Sequence, residues 1–295
     1  MPQLRLSEIT LDYDVHGPDD GIPLLLVMGL GMQRTAWPPS LLDALARRGM
    51  RCITFDNRDV GLSTRYDQHR VPAMGRLMAA RLFGLWQRLP YRLSDIAGDG
   101  IALLDHLGIA RAHVLGISMG GMVAQHLAAR HGERVQSLSL VATSSGRLGL
   151  PPPAVRVMKL LLSRPTRRSS LEAATNYLVD MFSAIGSPDY QTPRHEIERR
   201  AKAGLMRAAN GDGVARQLAA IISDGDRTPM LRRLQMPTLI LHGEHDAMVP
   251  LAHGRQLARV IPGARLHTIR GWGHDLPDAL SNELATLIAG HASPR

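Results

Sequence analysis

Gly116-Ile117-Ser118-Met119-Gly120 is the stretch on which the reading of this chain turns. It follows the apolar run Ala112-His113-Val114-Leu115 and precedes a helix-like run from Met122 to Arg130. A serine between two glycines, where a strand meets a helix, is the pattern of a nucleophile elbow. The turn is so tight that the flanking positions tolerate little side chain, which suits glycine. The serine oxygen then stands at the top of a sheet, at the positive end of a helix. In a chain with 28 glycines the pentapeptide by itself specifies little. Its meaning depends on whether the rest of the chain supplies what a nucleophilic serine needs.

A serine hydroxyl needs a base to take its proton, and the base works better when a carboxylate orients it. After an elbow of this kind the acid comes first in the chain and the histidine second. Both belong in loops after later strands, because such loops converge at the carboxyl edge of a parallel sheet. The apolar run Thr238 to His242 leads into Gly243-Glu244-His245-Asp246, and the run Ala264 to Ile269 leads into Arg270-Gly271-Trp272-Gly273-His274-Asp275. Asp246 and His274 are therefore the expected acid and base, with Glu244 and Asp275 as weaker acids. His242 and His267 fall inside the expected strands and read as structural. His242, His245, Asp246 and His274 could also be imagined as zinc ligands. That reading leaves Ser118 without a role, and no metal is expected.

Oxyanion donors complete the requirement, and backbone N–H groups serve because they are fixed before reaction. Met119, at the start of the elbow helix, offers one. The other is expected from Leu30, in the loop Gly29-Leu30-Gly31 that ends the buried run Ile22-Pro23-Leu24-Leu25-Leu26-Val27-Met28. Gly29, Trp86 and Trp272 are candidates for the substrate pocket.

The remaining pattern alternates. Leu11 to Val15 reads as a half-exposed strand and Arg51 to Phe55 as a buried one, with helical periodicity in Trp37 to Arg48 and Ser94 to Leu107. Val135 to Ala142 reads as a further strand, Leu251 to Val260 as a helix and Leu280 to Ala289 as a closing helix. Alternating strands and helices imply an α/β fold, with a mostly parallel sheet flanked by helices. The alternation stops near Ser144, where Pro151-Pro152-Pro153 follows, and resumes after Pro237. We expect residues 146–233 to form an inserted helical cap on a core of 1–145 and 234–295. Leu171 to Phe182 and Glu196 to Ala209 are its clearest helices. Met74 to Leu89 carries an apolar stripe at the spacing of one helix face, with Arg76, Arg81 and Arg88 among it. Such a stripe can lie on a membrane surface, but packing against its own protein, as a flap over the pocket, is the expectation.

Composition narrows the class. The 295 residues are 44% hydrophobic and 21% charged, in the range of a globular protein. Cys52 is the only cysteine, which excludes an intramolecular disulfide and suggests a buried thiol. A formal charge of +9 raises the question of nucleic acid, but 15 Lys and Arg against 8 Asp and Glu between Gly146 and Arg233 supply +7 of it. That segment has no nucleic-acid motif and few aromatics, so a solvated basic face is expected and nucleic-acid binding is not. The N-terminus lacks a secretory pattern and no apolar run reaches the ~20 residues of a membrane span. The expected setting is cytoplasmic, without stable membrane association; a homodimer is left open.

Taken together, these motifs resemble the α/β-hydrolase superfamily over nearly the whole chain. They are Val27-Met28-Gly29-Leu30-Gly31, Asp56-Asn57-Arg58-Asp59-Val60-Gly61-Leu62-Ser63, Gly116-Ile117-Ser118-Met119-Gly120-Gly121, Gly243-Glu244-His245-Asp246 and Gly271-Trp272-Gly273-His274. Within it the chain looks most like bacterial esterases related to aclacinomycin methylesterase. Shared features are Met28 before the oxyanion glycine, where many relatives have His, and Asp59 after Arg58, where Gly is usual. The stretch Met236 to Pro277 adds to the match. The resemblance implies hydrolysis of small to medium apolar carboxylic esters without a cofactor, and it does not carry over a particular substrate. A lactonase, a C–C hydrolase or a perhydrolase would use the same three residues. A non-catalytic binding protein on the same fold is the alternative from another class. Serine at the elbow speaks against the dehalogenases and epoxide hydrolases that place an aspartate there.

Overall fold

Leu24 to Val27 have essentially no exposed surface, and that complete burial sets the architecture. A strand hidden on both faces needs a layer above and a layer below. Leu25 and Val27 face a core shared with Leu103, Leu104, Val123 and Leu127. Leu24 and Leu26 face a second core with Leu41, Leu45, Leu284 and Ile288. Successive side chains point to opposite faces of a strand, so one six-residue run nucleates both layers.

The computed structural model describes residues 2–6, 8–85, 87–163, 170–208 and 212–292. In chain order the elements begin β1 (Gln3–Arg5), β2 (Thr10–His16), β3 (Ile22–Val27), α1 (Pro39–Ala46), β4 (Met50–Phe55), α2 (Met74–Phe83) and α3 (Leu93–His106). Then follow β5 (Ala112–Ile117), α4 (Met119–Arg130), β6 (Val135–Val141), α5 (Val155–Leu162), α6 (Leu171–Ile185), α7 (Arg194–Arg207), α8 (Gly213–Asp224) and α9 (Thr228–Leu231). The chain closes with β7 (Thr238–Gly243), α10 (Ala252–Val260), β8 (Arg265–Ile269) and α11 (Ser281–Ala292).

The eight strands run in the order β1-β2-β4-β3-β5-β6-β7-β8. β1 pairs antiparallel with β2 and β2 antiparallel with β4, and every later pairing is parallel. From β3 the chain first builds outward to β4, then returns to place β5 on the other side of β3. Loops leaving two such neighbouring strands diverge, and the crevice between them is where open α/β sheets bind ligands. Here those loops are Gly29-Leu30-Gly31 after β3 and Ser118 after β5.

Three expectations need correction. The basic stretch Met74 to Leu89 is helical only to Phe83, because Gly84 adopts φ 66° and caps the helix in the left-handed region. Its stripe is also divided: Leu77 and Ala80 are buried, whereas Met74, Met78, Leu82 and Leu85 are exposed. Trp86 lies outside the described residues. Third, the basic residues between Gly146 and Arg233 are not all a solvated face. Arg216 and Arg227 are buried, and Arg207 reaches Asp12 and Asp56 inside the core. The single thiol is as expected: Cys52 is buried, and burial pushes its pKa up to about 12.

Candidate active site

Ser118 closes β5 and opens α4 with φ 54° and ψ −119°. A non-glycine residue in this region costs about 1–3 kcal/mol unless its surroundings enforce it. They do. The Ser118 N–H donates to the Val141 carbonyl at 2.9 Å, and its own carbonyl accepts from Gly121 N at 3.0 Å and from the Thr143 hydroxyl at 2.7 Å. A Cβ at Gly116 would stand 2.3 Å from the Gly120 carbonyl oxygen, and one at Gly120 would stand 2.0 Å from that of Val27. Both glycines are required by close backbone approach, so α4 presses against the end of β3. Ser118 keeps some exposed surface.

His274 Nε2 lies 3.0 Å from Ser118 Oγ, and its Nδ1 lies 2.7 Å from Asp246 Oδ2. An ionised carboxylate can only accept, so Nδ1 carries the proton and Nε2 is free to accept from the serine hydroxyl. Asp246 is held by its own turn, with Oδ1 accepting from Met248 N at 2.9 Å and Val249 N at 2.7 Å. His242 sits behind this turn without exposed surface and donates from Nε2 to the Val249 carbonyl at 2.7 Å. Burial holds its imidazole below the ordinary histidine pKa despite the Asp246 charge nearby, so a neutral ring backs the carboxylate. Asp246 and His274 are almost fully buried, whereas Ser118 is partly exposed.

On the other side of Ser118, a Cβ at Gly29 would lie 3.4 Å from Ser118 Cβ, so the loop after β3 passes directly beside the elbow. Neither Leu30 N–H nor Met119 N–H engages a hydrogen-bond acceptor among the described residues. Met119 is the first residue of α4, where a helix leaves its N–H groups unpaired. Asn57 donates from Nδ2 to the Met28 carbonyl at 3.0 Å and so fixes the root of the loop.

The helical segment between β6 and β7 touches both loops. At the end of α6 the Ile185 carbonyl accepts from His274 N at 2.8 Å. The Ser187 hydroxyl accepts from Gly273 N at 3.0 Å and donates to Asp275 Oδ1 at 2.5 Å. On α8, Arg216 forms a two-pronged pair with Asp59, Nε to Oδ2 at 2.8 Å and Nη2 to Oδ1 at 2.7 Å. Tyr91 donates to Asp59 Oδ2 at 2.7 Å, and burial followed by the Asp59 charge raises its pKa, so it remains a donor. Asp59 itself is left-handed, φ 67°, a conformation that aspartate tolerates better than most residues.

Of the residues singled out in the sequence, Ser118, His274 and Asp246 meet, Gly29 lies beside the serine with Leu30 next in its loop, and Met119 follows the serine in the chain. Glu244 is exposed and accepts instead from the Thr268 hydroxyl at 2.9 Å. Asp275 is engaged by Ser187, and burial raises its pKa. Trp272 is not a pocket wall. It has no surface open to a water-sized probe, and its indole donates to the Asp275 carbonyl at 2.8 Å. His267 is half-buried rather than interior, 3.9 Å from Glu283. Among the described residues no group of three or more His, Cys, Asp or Glu could hold a metal ion. Thr143, Ser187 and Gln217 were missed as supports of the site, while Asn57 enters only within a motif and His242 reads as structural without its link to the Asp246 turn. Each acts through a contact that sequence spacing does not announce.

A family model described as alpha/beta hydrolase fold matches residues 22–278. The chain is 30% identical to rhodomycin D methylesterase DauP of Streptomyces sp. (strain C5), over 97% of this chain and 95% of that protein. Among solved structures it is similar to a hydrolase from Pseudomonas aeruginosa PA01, at 26% identity and TM-score 0.70, covering 98% of this chain and 96% of that one. The enol-lactonase from Burkholderia xenovorans LB400 shares the fold, with 22% identity and TM-score 0.73, covering 98% and 99% of the two chains. Among the described residues no helix is long and apolar enough to cross a membrane.

Proposed function

The chain belongs to the α/β-hydrolase family, and from that premise we propose that it is a serine hydrolase of carboxylic esters. One observation carries the reading: an unbroken line of hydrogen bonds, 2.7 Å from Asp246 to His274 and 3.0 Å from His274 to Ser118, at an elbow held in a strained conformation. Strain at a single hydroxyl serves a nucleophile and is of no evident use to a binding protein.

His274 Nε2 takes the Ser118 proton as Oγ attacks the ester carbonyl carbon. The carbonyl oxygen becomes an oxyanion and receives the Leu30 and Met119 N–H groups. On collapse the C–O bond to the alcohol breaks, and His274 returns its proton to the departing alkoxide. The acyl group now sits on Ser118 Oγ. Water enters, gives a proton to His274 and attacks the acyl carbon, and the second collapse releases the carboxylic acid and restores the serine hydroxyl. Asp246 keeps the imidazole in one tautomer and stabilises its cation in both halves. Neither metal nor cofactor is needed by any step.

The helical segment 146–233 acts as a cap that selects the ester, and Gly29 leaves room for the acyl group beside the elbow. A small-molecule ester with an apolar acyl or alkoxy part, met in the cytoplasm, is the proposed substrate. DauP, named a methylesterase, supports including methyl esters. The test is a hydrolysis panel of aryl acyl esters, methyl esters and lactones, with Ser118→Ala beside the wild type. Turnover of at least one ester class that vanishes in a folded Ser118→Ala protein is expected. Near-full activity in that variant would overturn the assignment.

A further inference from the structure

Gln217 is wholly buried on α8, and its side chain ends on the loop that carries Leu30. Its Oε1 accepts from Gly31 N at 2.8 Å, and its Nε2 donates to the Arg58 carbonyl at 2.8 Å. The partners fix the orientation of the amide, since Gly31 N–H can only donate and the Arg58 carbonyl can only accept.

Leu30 N–H lies in the Gly29–Leu30 peptide plane, and the Leu30–Gly31 plane, hinged to it at the Leu30 Cα, limits how far it can turn. The Gly29–Leu30 plane is tied by its carbonyl, because Gly29 O accepts from Met32 N at 3.2 Å. The Leu30–Gly31 plane is tied by its N–H, to Gln217. The first tie is local and belongs to the turn. The second comes from a residue 186 positions away, on the segment inserted between β6 and β7. The contact has little slack: a Cβ at Gly31, φ 69°, would stand 2.7 Å from Val214 Cγ2, and one at Gly213 would stand 2.2 Å from the Asp59 carbonyl oxygen. Next to Gln217, Arg216 bolts the same turn of α8 to Asp59.

We propose that Gln217 is a positioning residue of the reaction: through Gly31 it holds the Leu30 N–H where the oxyanion forms, and so couples the cap to catalysis. The inference rests on the ester-hydrolase reading above. A donor that must meet charge only in the transition state contributes to kcat and leaves substrate binding nearly alone.

The experiment compares Gln217→Met, which keeps length but neither bond, with Gln217→Glu, which keeps an acceptor for Gly31 N–H. Steady-state hydrolysis of an activated aryl ester and inhibition by a boronic acid, which mimics the tetrahedral adduct, are measured for each. We expect Gln217→Met to lower kcat about 10- to 100-fold with KM within about twofold, because small displacements of a transition-state donor have such effects. Boronate affinity should fall in parallel, and Gln217→Glu should recover part of both. Unchanged kcat in Gln217→Met, a loss confined to KM, or a kcat loss without weaker boronate binding would overturn the proposal. If Gln217→Met does not fold, a Gln217→Glu protein with weakened ester binding and unaltered boronate affinity would overturn it equally. A wild type that hydrolyses no ester in the panel would instead remove the reading beneath it, and the two failures are therefore distinct.

Discussion

The two sides of Ser118 are built differently. The acid is anchored by its own turn, since Asp246 takes both backbone donors from residues two and three positions ahead, although the histidine loop also leans on Ile185 and Ser187 of the helical segment. The oxyanion side is anchored by distant chain, Gln217 to Gly31 and Asn57 to the Met28 carbonyl. A local anchor forms whenever its turn forms. A distant one exists only when its partner element is docked, and for Gln217 that element is α8, so the proposed oxyanion site depends on the helical segment in a way that the acid does not. This gives a cap a means of influencing chemistry beyond shaping a pocket.

The largest expected effect ignores the distinction and removes the shared centre. Ser118→Ala should lower kcat roughly 10⁴-fold or more with the melting curve preserved or raised, since alanine deletes no buried partner. Asp246→Asn comes next and tests the local side: it should cost about 10³- to 10⁴-fold in kcat, because an amide cannot enforce the right imidazole tautomer. Its melting temperature should change little if the turn retains its shape. Arg216→Met tests the distant side through stability. It leaves Asp59 buried with only Tyr91 and a backbone N–H as donors, and should cost about 3–5 kcal/mol in chemical unfolding, as removal of one member of a buried pair does. Adding Asp59→Asn should recover part of that loss; a double variant worse than the single would contradict the pairing account.

The smallest effect concerns pH. Burial lowers the His113 pKa to about 4, and burial also lowers that of His242. Both take up protons more readily in the unfolded chain, whose histidines titrate near ~6.5. Below that value the unfolded state binds more protons, so stability falls as pH drops from about 6.5 towards 4. His113 lies on β5 and His242 on β7, so neither belongs to the distant anchors. Replacing His113 with Gln should flatten the pH dependence of the melting temperature in this window. An unchanged slope would contradict the assignment.

Much of the architecture could be read because it is periodic. Leu24 to Val27 announces a doubly buried strand, and Ser118, Asp246 and His274 each stand in a loop that follows a strand, so chain order and edge geometry bring them together. The supports were hidden for the opposite reason. Gln217 lies in a helix of ordinary composition, and its partner is a backbone N–H, which any residue could offer. Arg216 and Arg227 looked like surface charge because a sequence does not show that Asp59 and Asp224 wait for them inside. Trp272 was misplaced because a glycine-flanked aromatic in a loop suggests a wall, whereas the indole faces the second core. The α2 stripe failed differently: its spacing was helical, but Gly84 ended the helix, and packing took only Leu77 and Ala80.

The central claim is that the Ser118 oxygen carries the acyl group. Labelling with an aryl fluorophosphonate, followed by intact mass and peptide mapping, tests it most directly. The account predicts one adduct per chain, on Ser118, with ester hydrolysis lost in proportion to labelling and no adduct in Ser118→Ala. Hydrolysis persisting in fully labelled protein, or an adduct on another residue that tracks the loss of activity, would contradict it.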